Sequence, residues 1–169
     1  DPTTHYLLHG RHEGRIFSIP VLSDLCVDHD FKVDRKTILV VSHEASRTGA
    51  PVLSLNIVQA LAGPYNVVVL LLDGGPLSDA FRLAGAAVMT SSNLRQSPVL
   101  PQLVVGKLCE RFNFKYALVN SIESRAVLSS LAEYFVPTIS LIHEFASYTR
   151  PRDAFREALF WSGEAVFSA

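Results

Sequence analysis

The sequence predicts an α/β protein: an open, doubly wound parallel sheet with a short helical appendage at its N-terminus. Three observations predict it. From Lys36 onward, short apolar runs alternate with segments of helical periodicity, the pattern of parallel strands joined by crossover helices. The runs are continuous, as in "VVVLLL" over residues 67–72, which suits strands covered on both faces. With 169 residues, 49% of them apolar and 18% charged, there is material for one sizeable core and no signature of disorder.

Along the chain, residues 1–15, "DPTTHYLLHGRHEGR", form a separate unit in which Asp1 can cap a helix, Pro2 fits its first position and Gly10 can end it. Residues 16–35 have mixed composition and read as a linker. "TILVVS" (37–42) is the first core strand, and residues 51–62 form a helix with Val52, Leu55, Val58 and Ala62 near helical spacing. Strands come next at 66–72, 86–90, 116–121 and 138–144, separated by helices over 77–85, 100–112 and 122–135. A last helix covers 153–161, and "AVFSA" (165–169) opens a sixth strand. Right-handed crossovers and six strands give an expected order of 3-2-1-4-5-6.

Several function classes are disfavoured. A net charge of −1 argues against broad electrostatic binding to nucleic acid. Cys26 and Cys109 are far apart and fit no metal or redox spacing, so two reduced thiols in a cytoplasmic protein are expected. No apolar run approaches the roughly 18 residues that a membrane span needs. No secretory leader is recognisable. The chain starts without Met and closes on a strand-like segment, so an excised piece of a longer protein is expected.

Open parallel sheets bind ligands beyond the carboxyl ends of their strands, where strand order reverses. In the expected order that point lies between the first and fourth core strands. Past the first come Ser42, His43, Glu44, Ser46, Arg47, Thr48 and Gly49; past the second, Asp73, Gly74 and Gly75; past the fourth, Asn120, Ser121 and Glu123; past the fifth, His143 and Glu144. Gly49 lets backbone approach a ligand, and Pro51 opens a helix whose N-terminal N–H groups favour an anion, phosphate above all. Other readings stand beside these. Gly74-Gly75 suits a turn better than a ligand loop. Asn120-Ser121 can be a helix cap, Arg47 a solvated charge and His143 a structural histidine. There is no Gly-x-Gly-x-x-Gly, no Walker loop and no second His at metalloprotease spacing after His43-Glu44, so neither a dinucleotide cofactor nor a metal is expected.

Two stretches, "ILVVSHEASRTGAPVLSLNIVQAL" (38–61) and "VNSIESRAVLSSLAEYFVPTISLIHEF" (119–145), resemble the family 4-like glycosyltransferases of the GT-B fold. The first is similar to that family's opening strand, glycine-containing loop and helix. The second is similar to its Asn-Ser-led helix and a strand ending in His plus an acidic residue. The likeness covers about residues 36–169, the N-terminal, Rossmann-like half of such an enzyme. Residues 1–15 look like a short module of large bacterial proteins of polysaccharide synthesis.

The resemblance implies transfer of a sugar from a nucleotide-sugar donor to a glycan or glycolipid acceptor, usually with retention and without an obligatory metal or cofactor. It implies that Thr48 and Gly49 meet the donor phosphate and that His143 contacts the donor sugar. Arg47 could add charge-assisted hydrogen bonds. His43, Asn120, Ser121 and Glu144 complete the expected substrate site. The family's C-terminal domain, with most nucleotide contacts, is not in these 169 residues, so the chain alone is expected to be catalytically silent. Acceptors of this kind often sit at membranes, so peripheral association at the inner face is a further expectation. Thr48 stands where the family usually has glycine, and a non-catalytic glycan- or protein-binding module is the alternative.

Overall fold

A computed structural model describes residues 31–168, together with His9 and the backbone of Leu25 and Cys26. The helix expected over residues 1–15 lies outside the described residues. One seven-stranded sheet organises the rest. Its strands are β1 (Leu25–Cys26), β2 (Thr37–Ser42), β3 (Asn66–Leu71), β4 (Ala86–Thr90), β5 (Phe114–Asn120), β6 (Thr138–Ile142) and β7 (Glu164–Phe167). They lie in the order β1-β4-β3-β2-β5-β6-β7. The six strands β2 to β7 are parallel throughout and adopt the expected 3-2-1-4-5-6. The sheet is thus an open, doubly wound, Rossmann-like α/β sheet.

Residues 16–35, expected to be a linker, contribute a strand. β1 adds antiparallel to the outer edge of β4, pairing Leu25 with Met89 and Cys26 with Val88. The approach to β2 is pinned as well. Buried Asn66 donates through Nδ2 to the carbonyls of Lys32 (2.9 Å) and Arg35 (3.1 Å) and accepts from the Lys32 N–H at 3.0 Å. Phe31 packs against Phe112 with ring centroids 5.3 Å apart.

The helices are α1 (Gly49–Leu61), α2 (Ser78–Leu83), α3 (Leu100–Arg111), α4 (Leu128–Glu133) and α5 (Ala154–Trp161). Alternate side chains of a strand face opposite sides of its sheet, so each buried strand feeds two cores. Val40, Val67, Val69, Leu71, Ala86 and Val88 pack with Val58 of α1 and Phe81 of α2. Leu39, Val41, Val68, Leu70, Ala87 and Met89 pack with residues of α3, α4 and α5, including Val104, Leu108, Leu131 and Ala158. Two covered faces explain why the strands read as unbroken apolar runs.

One helix departs from expectation. Residues 122–135 were expected to form a single α-helix. The chain instead makes a 3-10 turn over Ile122–Val127 before α4 begins. The residue before it, Ser121, has φ 73° and ψ 143°, a region non-glycine residues seldom adopt.

The turn after β3 settles the role of Gly75. A Cβ placed there would lie 2.4 Å from the carbonyl oxygen of Ala45 and 2.9 Å from the Ser46 nitrogen. The same carbonyl accepts from the Leu77 N–H at 2.8 Å. Gly75 therefore lets the β3 turn lock onto the β2 loop, as a turn device. Gly75→Ala is expected to lower stability by about 2 kcal/mol, because backbone atoms cannot rotate away. Chemical denaturation checks this, and an unchanged midpoint would contradict the close approach.

Candidate functional site

Strand order reverses between β2 and β5, and the site is built from the residues just beyond their carboxyl ends and that of β6. Helix α1 begins beside this reversal. Thr48 occupies its N-cap position, yet its side chain caps nothing, and no acidic residue lies in the first turn. Thr48 Oγ1 instead meets Ser46 Oγ at 2.9 Å, and Ser46 Oγ donates to Glu44 Oε1 at 2.5 Å. Arg47, Thr48 and Gly49 are all exposed. A Cβ at Gly49 would meet nothing within 4 Å, so the space above the head of α1 is open. Arg47 is exposed and makes no ion pair or hydrogen bond to the described residues.

Asn120 is fully buried at the end of β5. Its Nδ2 donates to the Ala50 carbonyl at 2.6 Å and to Ser54 Oγ at 2.7 Å, both in α1. Its Oδ1 lies 2.8 Å from His143 Nε2. One side chain thus joins the first turns of α1, the end of β5 and the residue after β6. A helix cap was the alternative expectation for Asn120-Ser121. Ser121 does cap, accepting the Glu123 N–H at 3.2 Å, whereas Asn120 does not.

Glu144 closes the other side. Its Oε1 accepts from the Ser121 hydroxyl, and its Oε2 from the N–H groups of Ile122 (3.1 Å) and His143 (3.0 Å). Burial pushes this carboxyl's pKa up, but those bonds and its own N–H outweigh burial and hold it below the ordinary value. Glu144 is an ionised brace that clamps the loops after β5 and β6 together. It also holds Ser121 in its unusual backbone conformation, which costs on the order of 1–3 kcal/mol.

His43 sits deeper in the crevice. Its Nδ1 is buried and has no hydrogen-bond partner among the described residues. Its Nε2 lies 3.7 Å from Glu44 Oε1, too far for a hydrogen bond. Burial lowers its pKa, Arg95 lowers it further, and Glu44, Glu123 and Glu144 oppose them. Burial prevails, so the ring is neutral near pH 7. Arg95 and Glu123, 3.7 Å apart, also line an adjoining cavity of about 350 Å³ with Arg125 and Glu157, themselves paired at 3.2 Å.

The structure thus brings Asn120, Ser121, His143 and Glu144 into direct contact and places His43 and the head of α1 beside them. Sequence reasoning missed Ser54, which contributes only a hydroxyl one helical turn along α1, and Arg95, which lies in an irregular loop beyond β4. Spacing along the chain signals neither. Cys109, half-buried on α3, is a free thiol pushed up to about 11 by burial and lacks the character of a nucleophile. Among the described residues no three His, Cys, Asp or Glu side chains are grouped to hold a metal. No helix among them is long and apolar enough to cross a membrane.

These features define a Rossmann-like α/β domain with a polar crevice at its strand-order reversal. No protein-family model matches the chain, and no curated protein matches it. Similar solved structures include a UDP-glucosyltransferase from Polygonum tinctorium, 10% identical over 82% of this chain and 46% of that one, TM-score 0.48. Phytolacca americana UGT2, complexed with UDP-2-fluoro-glucose and pterostilbene, is 9% identical over 69% of this chain and 32% of its own, TM-score 0.46. Phenylacrylic acid decarboxylase from Aquifex aeolicus is 12% identical over 80% of this chain and 82% of its own, TM-score 0.45. The chain spans less than half the length of the first two. Likeness at this level is shared by proteins of different activity and carries no argument about function.

Proposed function

We propose that this chain is the acceptor-side half of a glycosyltransferase that moves a sugar from a nucleotide-sugar donor to a bacterial glycan or glycolipid acceptor. The observation that carries the reading is the joining, through Asn120, of the open head of α1 to His143 at the strand-order reversal. The family resemblance of residues 38–61 and 119–145 supports it. In such a transfer the bond from the anomeric carbon to the donor phosphate oxygen breaks, and the leaving nucleotide diphosphate takes the electron pair. The acceptor hydroxyl oxygen bonds the anomeric carbon and gives up its proton to the departing phosphate oxygen. Negative charge grows on the leaving phosphate, where the N–H groups at the head of α1, with Thr48, Gly49 and Arg47 around them, would stabilise it. His143 would contact the sugar. The adjoining cavity, whose charges are paired off among themselves, offers donors and acceptors suited to a polyhydroxyl ligand. Nucleotide contacts belong to a C-terminal domain outside these residues.

The test uses a full-length protein containing this chain and a C-terminal nucleotide-binding domain. Transfer from a nucleotide sugar is expected, and His143→Ala should lower kcat about 100-fold, the scale of a lost transition-state contact. An unchanged rate would remove His143 from the site. If no nucleotide sugar is consumed, the second reading takes over: a non-catalytic module binding a glycan or a protein. Thr48 favours that reading, since its exposed side chain stands where the family's glycine would let a phosphate approach.

A further inference from the structure

Asn120 contains more chemical information than its contacts alone. The Ala50 carbonyl can only accept, so the amide group 2.6 Å from it must be the NH2. This fixes the orientation of the side chain without reference to His143. Asn120 Oδ1 then faces His143 Nε2 at 2.8 Å. A carbonyl oxygen donates nothing, so Nε2 must carry the proton. In the neutral ring Nδ1 is then a bare lone pair, and no described residue bonds to it.

We infer that Asn120 is a positioning residue that locks His143 in the Nε2–H tautomer, so that the crevice presents Nδ1 as an acceptor for a hydroxyl group. This deepens the reading given under Proposed function and rests on it for the identity of the hydroxyl as a sugar's. The chemistry divides the crevice in two. The head of α1, where Gly49 and Ala50 carry N–H groups ahead of Pro51 and no acid lies in the first turn, suits the anionic part of a substrate. His143, with a lone pair outward, suits the polyhydroxyl part and disfavours the phosphate. The interlock also explains why a polar side chain is fully buried here. Ser54 and Ala50 hold the amide, the amide holds the imidazole, and the imidazole keeps one face for the ligand.

The experiment is a long-range proton–nitrogen correlation spectrum of the chain labelled with 15N-histidine, at pH 7.5, with His143 assigned by its loss in His143→Gln. The expected result is the Nε2–H tautomer in at least about tenfold excess, the scale of one net hydrogen bond. An Nδ1–H ring, a near-equal mixture or a doubly protonated ring would overturn the inference. In Asn120→Leu the excess should fall to the modest intrinsic Nε2–H preference of a free neutral histidine, and an undiminished tenfold excess would show that Asn120 is not its source. Should that variant fail to fold, the parent spectrum alone still decides. No sugar and no turnover enter the measurement. A locked tautomer in a protein that transfers nothing would therefore refute the transferase reading and leave this inference standing.

Discussion

Asn120→Ala is expected to destabilise the protein by about 3 kcal/mol, the largest loss of any single substitution at the crevice. The change removes three hydrogen bonds, each worth roughly 1 kcal/mol net, and leaves a void beside buried acceptors. Ser54 can recover part of this by turning its hydroxyl toward the Ala50 carbonyl one turn back. Urea denaturation monitored by circular dichroism checks the value. The midpoint should fall while the slope is unchanged. A loss below about 0.5 kcal/mol would mean that the seam between α1, β5 and β6 is not held by this side chain.

Glu144→Gln should show the second-largest loss of stability at the crevice, and its signature is pH. The carboxylate accepts from Ser121, Ile122 and His143, and these bonds hold its pKa below the ordinary value despite burial. A group whose pKa is lower in the folded state contributes stability above its unfolded value, near 4.5. That contribution is lost as pH falls through the folded pKa. The parent protein should therefore lose stability from about pH 4.5 downward. Glu144→Gln should be about 2 kcal/mol less stable at pH 7, since an amide oxygen can replace only part of the carboxylate's bonding to these donors. Its stability should be flatter between pH 5 and pH 3. Parallel pH profiles for the two proteins would show that Glu144 is not the brace described.

The sheet was legible because its physical cause is local. Continuous Val, Ile and Leu runs mark strands buried on both faces, and handedness then prunes the possible orders to very few. β1 was not legible, since two residues added to an edge carry no periodicity. The 3-10 turn over Ile122–Val127 escaped as well: apolar residues three and four apart suit both helix types over so short a span. At the crevice, position was legible and partnership was not. The strand-end rule points to Asn120, Ser121, His143 and Glu144 from the sequence alone. That Glu144 braces backbone N–H groups, or that Asn120 reaches across to Ala50, depends on atoms every residue possesses, so no letter of the sequence announces it. Arg47 shows the reverse case, a suggestive residue whose side chain bonds to none of the described residues.

The central place of β2 has a consequence for how the molecule comes together in time. On one side of it, β2, β3 and β4 pair residues close along the chain, such as Val67 with Ala86. On the other, β5, β6 and β7 do the same, as with Ala117 and Thr138. Among the six parallel strands, only the β2–β5 seam joins partners so distant, Ile38 with Tyr116 among them. Closing that long loop carries the largest entropic cost and tends to come late. The crevice lies on this seam, so it comes into being only when two half-sheets dock. A probe at His143 should therefore report the last event of folding and the first of unfolding, after each half has acquired its own hydrogen-bonded order.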